Sequence, residues 1–580
     1  MKKESILNAF YRFFDVLLLL FLVFDFGYNV NDSYKSHKII GLIVLTVILL
    51  GFNLIKYFFY KTKHKKRITL GNIVIVGTLL FVSGIVALVN KDSYYLYTLQ
   101  SIKPILEGGL LFYFLLRLMV IVRYIYALYY NPAIMFVGSF FVITLSGAFL
   151  LLLPKATTHS ITFTDALFTA TSAVCVTGLN VLNTANDFTI IGQTIILILI
   201  QLGGLGILTF TSFFAFFFKG SSSFKEGLNV KDFIASDSMK DVLKTAMNVV
   251  TFTLSVELIG AIFIYYTTDH ITLISDKIFF SIFHSVSAFC NAGFSTFSDN
   301  LHEESVRFDY GLQWIIMSLI VFGGLGYNIA YNFYESIKRR CMKIMHLKPL
   351  EIRERIITLN TKIIIYTTII LLVSGFIVMY IGEYNHTLVE HTTLFGKITT
   401  AAFNSVTPRT AGFGTVNFQE MAAPSILFMI FLMWVGASPA STGGGIKTST
   451  FALATLNIFA VARGKNKIEI GGRQISSEST KRAFAIICIS LIVIGSAIMM
   501  LLVFEPEGTD LLTVAFECFS AYSTVGLSMN FTPLMTEPSK YTIIIVMFVG
   551  RIGMLNLMIG LMRQMNHQFY QYPKENILIN

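Results

Sequence analysis

Charged residues are scarce in this 580-residue chain. Asp, Glu, Lys and Arg together make up 13% of it, whereas 54% of the residues are hydrophobic and 14% are aromatic. An ordinary soluble domain carries roughly 25% charged residues. The composition therefore excludes a soluble globular protein and predicts an integral membrane protein.

Cysteines are also few, and their spacing excludes the common metal sites. No two of them are closer than 30 positions, and there is no CxxC pair or zinc-type spacing. We expect Cys175 and Cys290, which flank the glycine motifs described below, to be small buried hydrophobic residues rather than redox or metal groups. The five cysteines are Cys175, Cys290, Cys341, Cys488 and Cys518.

Catalytic and cofactor-binding motifs are missing as well. No Ser/His, His/Glu or paired-Asp arrangement recurs at usable spacing inside the apolar runs, so we predict that the protein is not an enzyme. The GGLG motifs at 203–206 and 323–326 lie within apolar runs with no strand before them, so they are not dinucleotide fingerprints. The loops are too short for a nucleotide-binding domain, and no cofactor is predicted for this chain.

The net charge of +11 does not indicate a nucleic-acid-binding surface. Lys and Arg are concentrated in short segments between long apolar runs, such as KTKHKKR at 61–67 and ARGKNK at 462–467. This alternation follows the positive-inside rule, so we predict a multi-pass protein of the bacterial cytoplasmic (inner) membrane with both termini cytoplasmic. The apolar run after MKKES has no cleavage site and is predicted to be a retained first span.

About twelve apolar runs reach the roughly 20 residues that a bilayer-spanning helix needs; one of them is 310–336. Four of the runs lie in residues 1–131. Charges within spans are functional candidates by default, but we interpret this N-terminal region as peripheral to the rest. The charges in or near these four spans are Asp25, Glu107, Arg117 and Arg123.

A short motif that ends in glycine recurs four times, as TSAVCVTGL, VSAFCNAGF, TPRTAGF and FSAYSTVGL. The glycines Gly178, Gly293, Gly412 and Gly526 are separated by 115, 119 and 114 residues. Three motifs carry Phe ten positions before the glycine and Ser-Ala six and five before it, whereas Phe403 lies nine positions before Gly412. The third copy is therefore displaced by one residue.

The repeats predict an all-α membrane protein in which four pseudo-fourfold-related units surround one axis. Each unit is a span, a re-entrant helix too short to cross, a glycine loop and a second span. Non-helical backbone at membrane depth is tolerated where it lines a water-filled space, so the shared axis is predicted to be a central ion pore. The predicted parts are N-terminal helices 1–131, repeats 132–218, 241–336, 361–461 and 482–563, and a short cytoplasmic tail 564–580.

Uncharged glycine loops can bind a cation through their backbone. Rings of carbonyl oxygens replace the hydration shell of K⁺ in known filters, and glycine permits the backbone angles that turn those oxygens inward. A re-entrant helix also points the negative end of its dipole at the pore. From the residues alone, the loops indicate a monovalent cation.

The motifs TSAVCVTGL, RTAGF and STVGL, with the GGLG motifs between them, resemble the Trk/Ktr/HKT superfamily of potassium transporters over about 132–562. The resemblance implies K⁺ as the transported ion. In sodium-preferring plant relatives the first filter glycine is serine, so Gly178 favours K⁺. The filter residues implied by the resemblance are Val176, Thr177, Gly178, Asn291, Ala292, Gly293, Thr410, Ala411, Gly412, Thr524, Val525 and Gly526.

The sequence MWVGASPASTGGGIKTST at 433–450 contains Pro and three consecutive Gly, which break a helix. It predicts two half-helices joined by a loop, or at least a kink. The resemblance implies an intramembrane gating loop at 436–448. It further implies that Arg551, which otherwise would snorkel or form a structural pair, holds this loop through backbone carbonyls. The implied gate residues are Pro439, Gly443, Gly444, Gly445, Lys447 and Arg551.

Three polar residues of the re-entrant helices have two interpretations each. Asp165 and Glu517 would either concentrate cations at the pore mouth or cap and anchor their helices, and we favour anchoring. His284 is expected to be a hydrogen-bonded packing residue rather than a proton sensor.

The predicted function is K⁺ uptake by a pore-forming subunit. We also predict a homodimer in the lipid bilayer, and the resemblance implies a cytosolic ring of nucleotide-binding regulators of the TrkA/KtrA type, docked on basic loops 337–361 and 461–482. Two alternatives stay open. One is an Na⁺- or H⁺-coupled symporter with Asp25, Asp165 and Glu517 as coupling residues, and the other is the K⁺-binding subunit of an ATP-driven pump.

Overall fold

The structure, a computed structural model, is all-α as predicted. Within the described residues, regular structure is helical apart from one antiparallel hairpin, in which Glu469–Ile470 pairs with Arg473–Gln474. Arg117, Arg123 and the predicted tail lie outside the described residues. The described ranges are 2–28, 32–59, 63–89, 102–111, 113–114, 132–206, 242–271, 276–344, 357–439, 441–465 and 467–553.

The N-terminal helices form a bundle with its own apolar core. The core residues include Leu18, Leu49, Leu106 and Leu110, all of which are fully buried. The helices are long apolar segments whose other faces remain exposed, as expected for surfaces that contact lipid. They are α1 (Lys2–Gly27), α2 (Asp32–Phe59), α3 (Lys63–Val89) and the helical segment α4 (102–111).

Ion pairs join the helices of this bundle, and a backbone hydrogen bond joins the bundle to the first repeat. The buried carboxylate of Asp25 lies 3.1 Å from the ammonium group of Lys38 and 3.4 Å from that of Lys103. Lys103 also pairs with Glu107 at 3.2 Å. The backbone N–H of Lys155, in the loop after the first span of repeat 1, donates to the carbonyl of Gly27 at 3.0 Å. This last bond attaches the N-terminal bundle to the first repeat.

Each repeat contains a long first helix, a short helix and a second helix. The first helices are α5 (Pro132–Leu151), α8 (Val242–Thr267), α12 (Leu359–Glu383) and α16 (Ser477–Phe504). The short helices are α6 (Phe163–Val174), α9 (Lys277–Cys290), α13 (Leu394–Val406) and α17 (Leu511–Tyr522). The second helices are α7 (Ile190–Leu205), α10 (Tyr310–Leu325), α14 (Ala423–Trp434) and α18 (Glu537–Ile552).

The short helices start at a side-chain cap and end inside the protein. Each has 12 to 14 residues, or about 18 to 21 Å at helical rise, which is too short to cross a bilayer. A side-chain oxygen of the preceding residue accepts a hydrogen bond from a backbone N–H of the first turn. The capping residues are Thr162, Asp276, Thr393 and Asp510.

The four repeats close into a ring. Each short helix packs on the first helix of its own repeat, and in repeats 1, 2 and 4 it also packs on the second. Each also packs against the second helix of the repeat before it. Thus α9 packs on α7, α13 on α10, and α17 on α14. The short helix of the first repeat, α6, packs on α18 of the last. This cyclic order places the C-terminal ends of all four short helices around one axis.

Three of the four second helices stop at a glycine part of the way along their apolar runs. Helices α7, α10 and α18 are followed by Gly206 (φ 71°), Gly326 (φ 76°) and Gly553 (φ 82°), a left-handed conformation that cannot continue an α-helix. The prediction of a continuous span over 310–336 is wrong, because the helix that follows Gly326, α11 (Tyr327–Ile344), is bent by 99° from α10.

These breaks also reduce the number of helices that would span a membrane alone. Among the described residues, five helices are long and apolar enough to do so, whereas apolar runs predict about twelve spans. In the third repeat, the run divided by Pro and Gly residues consists of α14 and α15 (Thr448–Ala462), joined by a loop over 435–447. The predicted division into two half-helices is therefore present.

Candidate functional site

The glycines of the four repeated motifs lie next to one another. A Cβ atom placed on Gly178 would lie 3.1 Å from Cα of Gly293, and one on Gly293 would lie 2.8 Å from Cα of Gly412. A Cβ added to Gly412 would lie 3.3 Å from Cα of Gly526, and one added to Gly526 would lie 2.9 Å from Cα of Gly178. The four glycine loops (176–178, 291–293, 410–412 and 524–526) therefore form a closed ring in chain order.

The backbone of all four loops has the same unusual conformation. The residue two positions before each glycine is left-handed, although none of these residues is glycine. They are Val176 (φ 55°), Asn291 (φ 62°), Thr410 (φ 68°) and Thr524 (φ 49°). Such a conformation is uncommon for any L-residue and is an outlier for β-branched Val and Thr. It costs about 1 to 3 kcal/mol per residue and persists only where the surrounding structure imposes it.

The peptide N–H groups of the loops face away from the axis, towards the short helices. The N–H of the residue before the glycine donates to a backbone carbonyl near the end of the short helix. The Thr177 N–H donates to the Ser172 carbonyl at 2.7 Å, and the Val525 N–H donates to the Ser520 carbonyl at 2.8 Å. The equivalent bond from Ala292 to Ser287 is 2.7 Å. Because these N–H groups are bound behind the loop, the carbonyl oxygens of the loop are directed towards the ring.

The positions of the carbonyl oxygens agree with this. In each repeat the oxygen of the residue before the glycine lies against the glycine of a neighbouring repeat. A Cβ added to Gly293 would lie 2.9 Å from the carbonyl oxygen of Ala411, and one added to Gly412 would lie 2.5 Å from that of Val525. On Gly178 it would collide with the Ala292 oxygen. The ring therefore presents backbone oxygens, which are suitable ligands for a dehydrated monovalent cation.

Side chains do not supply an alternative ion site here. In the part of the chain that the structure describes, no group of three or more His, Cys, Asp or Glu residues is placed to hold a metal ion. Cys175 and Cys290 are fully buried, as predicted for small hydrophobic residues. The candidate ligands at the ring are therefore its backbone carbonyl oxygens.

A hydroxyl group at the end of each short helix holds the adjacent loop. The hydroxyls of Ser172 and Ser520 accept from the N–H of Gly178 and Gly526, at 3.0 and 3.1 Å. Those of Ser287 and Thr407 donate to the carbonyl after the glycine, at 2.7 and 2.6 Å. Sequence reasoning did not assign these residues, although Ser six positions before the glycine was part of the repeat.

Thr407 also explains the displaced third copy. In the other three repeats the closing hydrogen bond reaches back five residues, whereas in the third the N–H of Ala411 reaches back four, to the carbonyl of Thr407 at 3.0 Å. Helix α13 ends at Val406, and Pro408 lacks the N–H that would continue the helical hydrogen bonds. The third loop thus closes with one residue fewer and still brings Gly412 into the ring.

The loop over 435–447 lies directly beneath the ring, on the side where the short helices end. Its three consecutive glycines contact the loop residues closely. A Cβ added to Gly443 would collide with the Thr410 hydroxyl. A Cβ added to Gly444 would lie 3.0 Å from Cγ2 of Thr524, and one added to Gly445 would lie 3.1 Å from Cβ of Ser523. Only glycine fits at these positions.

Arg551 joins the loop over 435–447 to two repeats. Its guanidinium donates to the carbonyl of Thr442 in the loop and, at 2.6 Å, to that of Gly203 in α7. Lys447 donates to the carbonyl of Gly443 at 2.5 Å. Pro439 lies in the turn of the same loop, where the adjacent Ser438 N–H donates to the carbonyl of Gly324 at 3.1 Å.

Arg409 is a further buried arginine that sequence reasoning did not single out. It donates to the carbonyl of Thr368 in α12 and to that of Gly436 at the start of the loop, each at 3.3 Å. Its side chain is 8% exposed. The signal was a charge inside an apolar motif, TPRTAGF, which we read only as part of the glycine repeat.

The polar residues of the short helices have structural partners. Asp165 accepts from the ammonium group of Lys540 at 2.7 Å and from its cap residue Thr162 at 2.8 Å, so it joins the start of α6 to α18. His284 is fully buried and bonds to the Phe280 carbonyl and the Ser295 hydroxyl, both at 3.0 Å. The predicted packing role of His284 is confirmed.

The fold and this site define an all-helical, multi-pass membrane protein of four repeats around an axial ring of backbone oxygens. Residues 129–571 match the sequence profile of the TrkH family, described as cation transport proteins, and the chain belongs to that family. Members of the family are transporters and not enzymes. The resemblance inferred from the glycine motifs is therefore confirmed.

Individual relatives support the same assignment. The chain is 34% identical over 457 residues to the potassium/sodium uptake protein NtpJ of Enterococcus hirae, covering 77% of this chain and 97% of that protein. It is 36% identical over 430 residues to the Ktr system potassium uptake protein B of Bacillus subtilis, covering 73% and 91%. The crystal structure of the potassium transporter TrkH from Vibrio parahaemolyticus shares the fold, with a TM-score of 0.58, 17% identity and coverage of 85% and 97%.

Proposed function

We propose that the protein takes up K⁺ across the bacterial cytoplasmic membrane through the ring of glycine loops, which acts as the selectivity filter. The observation that carries this proposal is the ring itself, with four glycines in contact and a left-handed residue two positions before each. The proposed filter residues are Val176, Thr177, Gly178, Asn291, Ala292, Gly293, Thr410, Ala411, Gly412, Thr524, Val525 and Gly526.

The choice of K⁺ rests on the oxygens and on the relatives. Backbone carbonyl rings replace the hydration shell of K⁺ in known filters. The relatives with 34 to 36% identity are named as potassium or potassium/sodium uptake proteins. The membrane potential would drive inward movement of the ion, at about 2.3 kcal/mol per charge per 100 mV. No covalent chemistry is needed.

The loop over 436–448 is the proposed gate. It fills the space beneath the filter, and Arg551 and Lys447 place two cationic side chains on its carbonyls. These charges oppose the passage of K⁺, and the bonds of Arg551 to two different repeats hold the loop in place. Opening requires release of those bonds. The proposed gate residues are Pro439, Gly443, Gly444, Gly445, Lys447 and Arg551.

Regulation by a separate subunit and dimerisation are part of the same proposal. Two relatives are components of Ktr systems, a name that indicates more than one subunit. We propose that a cytosolic ring of nucleotide-binding regulators docks on the side of the protein opposite the filter mouth, where α15 and the hairpin at 469–474 lie, and that two copies of this chain assemble as a homodimer with cytoplasmic termini.

A test of the function is rescue of a K⁺-uptake-deficient bacterium at low external K⁺, with and without the cognate regulatory subunit. Rescue by the wild-type chain, and its loss on replacement of Gly412 by valine, is the expected result. A matched control is Gly495→Val, because nothing lies within 4 Å of a Cβ at that position. Equal growth with Gly412→Val, or no rescue by the wild type with its regulator present, would contradict the proposal.

One observation favours ion-coupled uptake as a second candidate, namely the word sodium in the name of the E. hirae relative. Two of the carboxylates that sequence reasoning offered for coupling are occupied, since Asp25 and Asp165 are paired with lysines. Reversal potentials in reconstituted vesicles separate the candidates. A channel reverses at the K⁺ equilibrium potential, whereas a symporter shifts with the gradient of the second ion.

A further inference from the structure

One position in the middle of each short helix lies directly behind the proposed filter. It is nine residues before the filter glycine in repeats 1, 2 and 4, and eight in the displaced repeat 3. All four side chains are polar and at most 1% exposed. They are Thr169, His284, Asn404 and Glu517. A buried polar side chain needs hydrogen-bond partners, and here the partners differ from repeat to repeat.

Glu517 makes two bonds to the segment that follows its filter loop. Its carboxylate accepts from the hydroxyl of Ser528, two residues after Gly526, and from that of Thr532 at 3.0 Å. The Ser528 hydroxyl in turn accepts from the backbone N–H of Phe531 at 3.3 Å. One side chain of α17 thus fixes the segment that leaves the fourth filter loop. Bonds to a carboxylate are stronger than bonds between neutral groups.

His284 and Asn404 make the equivalent contact in the second and third repeats. His284 Nε2 lies 3.0 Å from the hydroxyl of Ser295, two residues after Gly293. The Oδ1 atom of Asn404 accepts from the hydroxyl of Thr415, three residues after Gly412, at 3.4 Å. In each case a mid-helix side chain holds the chain just after the filter glycine.

The first repeat differs. The hydroxyl of Thr169 donates to the carbonyl of Asp165 within its own helix, at 2.9 Å, and does not reach the loop. The residue two after Gly178 is Asn180, and its buried Oδ1 atom has no hydrogen-bond partner within the described part of the chain. The first filter loop is therefore held by Ser172 at its inner end and has no bond from the mid-helix position.

We infer that His284, Asn404 and Glu517 are positioning residues for ion selection. Each fixes one filter loop from behind by hydrogen bonds, and the mid-helix residue of the first repeat makes no such bond to its loop. The inference rests on the proposed function of the ring. In the snug-fit account of selectivity, a carbonyl ring discriminates between K⁺ and Na⁺ because its oxygens resist moving inward onto the smaller ion. Removal of such a bond frees one loop to move, and the largest effect belongs to Glu517, which makes two bonds to its loop through a carboxylate.

The test compares Na⁺ competition against Rb⁺ uptake in vesicles that contain the purified protein. We expect Glu517→Ala to lower the preference for Rb⁺ over Na⁺ by about tenfold or more, because charge-assisted bonds are lost. Glu517→Gln keeps the shape and one acceptor oxygen, and a smaller loss is expected. His284→Ala and Asn404→Ala should each lower the preference less than Glu517→Ala. Thr169→Val is the matched control, and its preference should equal that of the wild type.

A second pair of variants covers the case in which Glu517→Ala does not fold. Ser528→Ala and Thr532→Val remove the donors and keep the carboxylate, and their combination should also reduce the preference. If the wild type takes up no Rb⁺ even with its regulatory subunit added to the vesicles, the proposed function fails. If the wild type discriminates and the Glu517, Ser528 and Thr532 variants discriminate equally well, the positioning role is refuted while the filter assignment stands.

Discussion

Replacement of Gly178 by serine places a side chain where the ring leaves no space. Gly178 has a φ of 91°, which an L-residue adopts only with strain. The new Cβ would lie 3.1 Å from the Cα of Gly293 and would collide with the carbonyl oxygen of Ala292. That oxygen is one of the proposed ion ligands, so relief of the collision moves a ligand away from its position.

The size of the effect follows from the strain. A non-glycine residue in this region costs about 1 to 3 kcal/mol, and each 1.4 kcal/mol or so corresponds to about a factor of ten in an equilibrium. The strain destabilises the filter conformation that binds K⁺ relative to a relaxed conformation in which the carbonyl oxygens have moved. The difference in free energy between the two conformations is the strain energy. The preference for Rb⁺ over Na⁺ in vesicle uptake should therefore fall by about 5- to 150-fold.

Gly508→Ser is the matched control for this variant. Gly508, in the loop between α16 and α17, has a φ of 100°, and nothing lies within 4 Å of a Cβ there. It therefore carries similar backbone strain with no collision, and its variant should keep the wild-type preference even if it is less stable. Relative Rb⁺ and Na⁺ fluxes that are unchanged in Gly178→Ser would refute the reasoning.

Three further predictions concern the gate and the outer loops. Arg551→Ala should raise basal Rb⁺ flux without the regulatory subunit, because the bonds to Thr442 and Gly203 are lost. A basal flux in this variant equal to that of the wild type would count against the role of Arg551 in the gate. Deletion of Gly444 should also raise basal flux, since the shortened loop no longer fills the space beneath Thr524, and a tightly closed variant would contradict this. Burial raises the pKa of Glu390, but the hydrogen bond and charge of Arg307 outweigh it and hold the pKa below its usual value. This pair, at 2.8 Å, therefore stabilises the fold above the ordinary Glu pKa of about 4.3 and loses that contribution as pH falls through the lowered value. The melting temperatures of wild type and Glu390→Gln should differ slightly at pH 7 and converge at strongly acidic pH, and a difference that persists in acid would exclude the pair as its cause.

Much of the fold could be predicted because it depends on patterns that survive in the sequence. The even spacing of Gly178, Gly293, Gly412 and Gly526 indicates four equivalent units, and the apolar runs around them indicate helices. The Pro and Gly residues at 433–450 indicate a break, which the structure shows between α14 and α15. These features are local, so the residues that cause them are adjacent in the chain.

The ends of the second helices could not be predicted in the same way. The apolar run continues through Gly326, and glycine is tolerated within helices, so hydropathy indicates one span over 310–336. Helix α10 ends where it packs closely on the short helix of its own repeat. A Cβ on Gly323 would collide with the carbonyl of Phe289 at the end of the short helix α9. Such a contact joins residues of two helices and leaves only a glycine in the sequence.

Hydrogen bonds behind the ring were missed for the same reason. Ser295, Thr415 and Ser528 lie in loops after the glycines, and nothing local distinguishes them from other loop hydroxyls. Their partners differ in chemistry between the repeats, so no common motif marks the position. The role of Arg409 was hidden because its acceptor, the carbonyl of Gly436, belongs to a different segment 27 residues later.

The most direct test of the central claim is the location of Rb⁺ by anomalous scattering in crystals of the protein grown with Rb⁺ in place of K⁺. The account predicts a peak on the axis of the glycine ring, coordinated by carbonyl oxygens of the four loops, including those of Thr177, Ala292, Ala411 and Val525. Replacement of Rb⁺ by K⁺ should remove that anomalous peak while leaving density at the same place. Rb⁺ bound elsewhere in the protein, with none at the ring, would contradict the assignment of the four glycine loops as the filter.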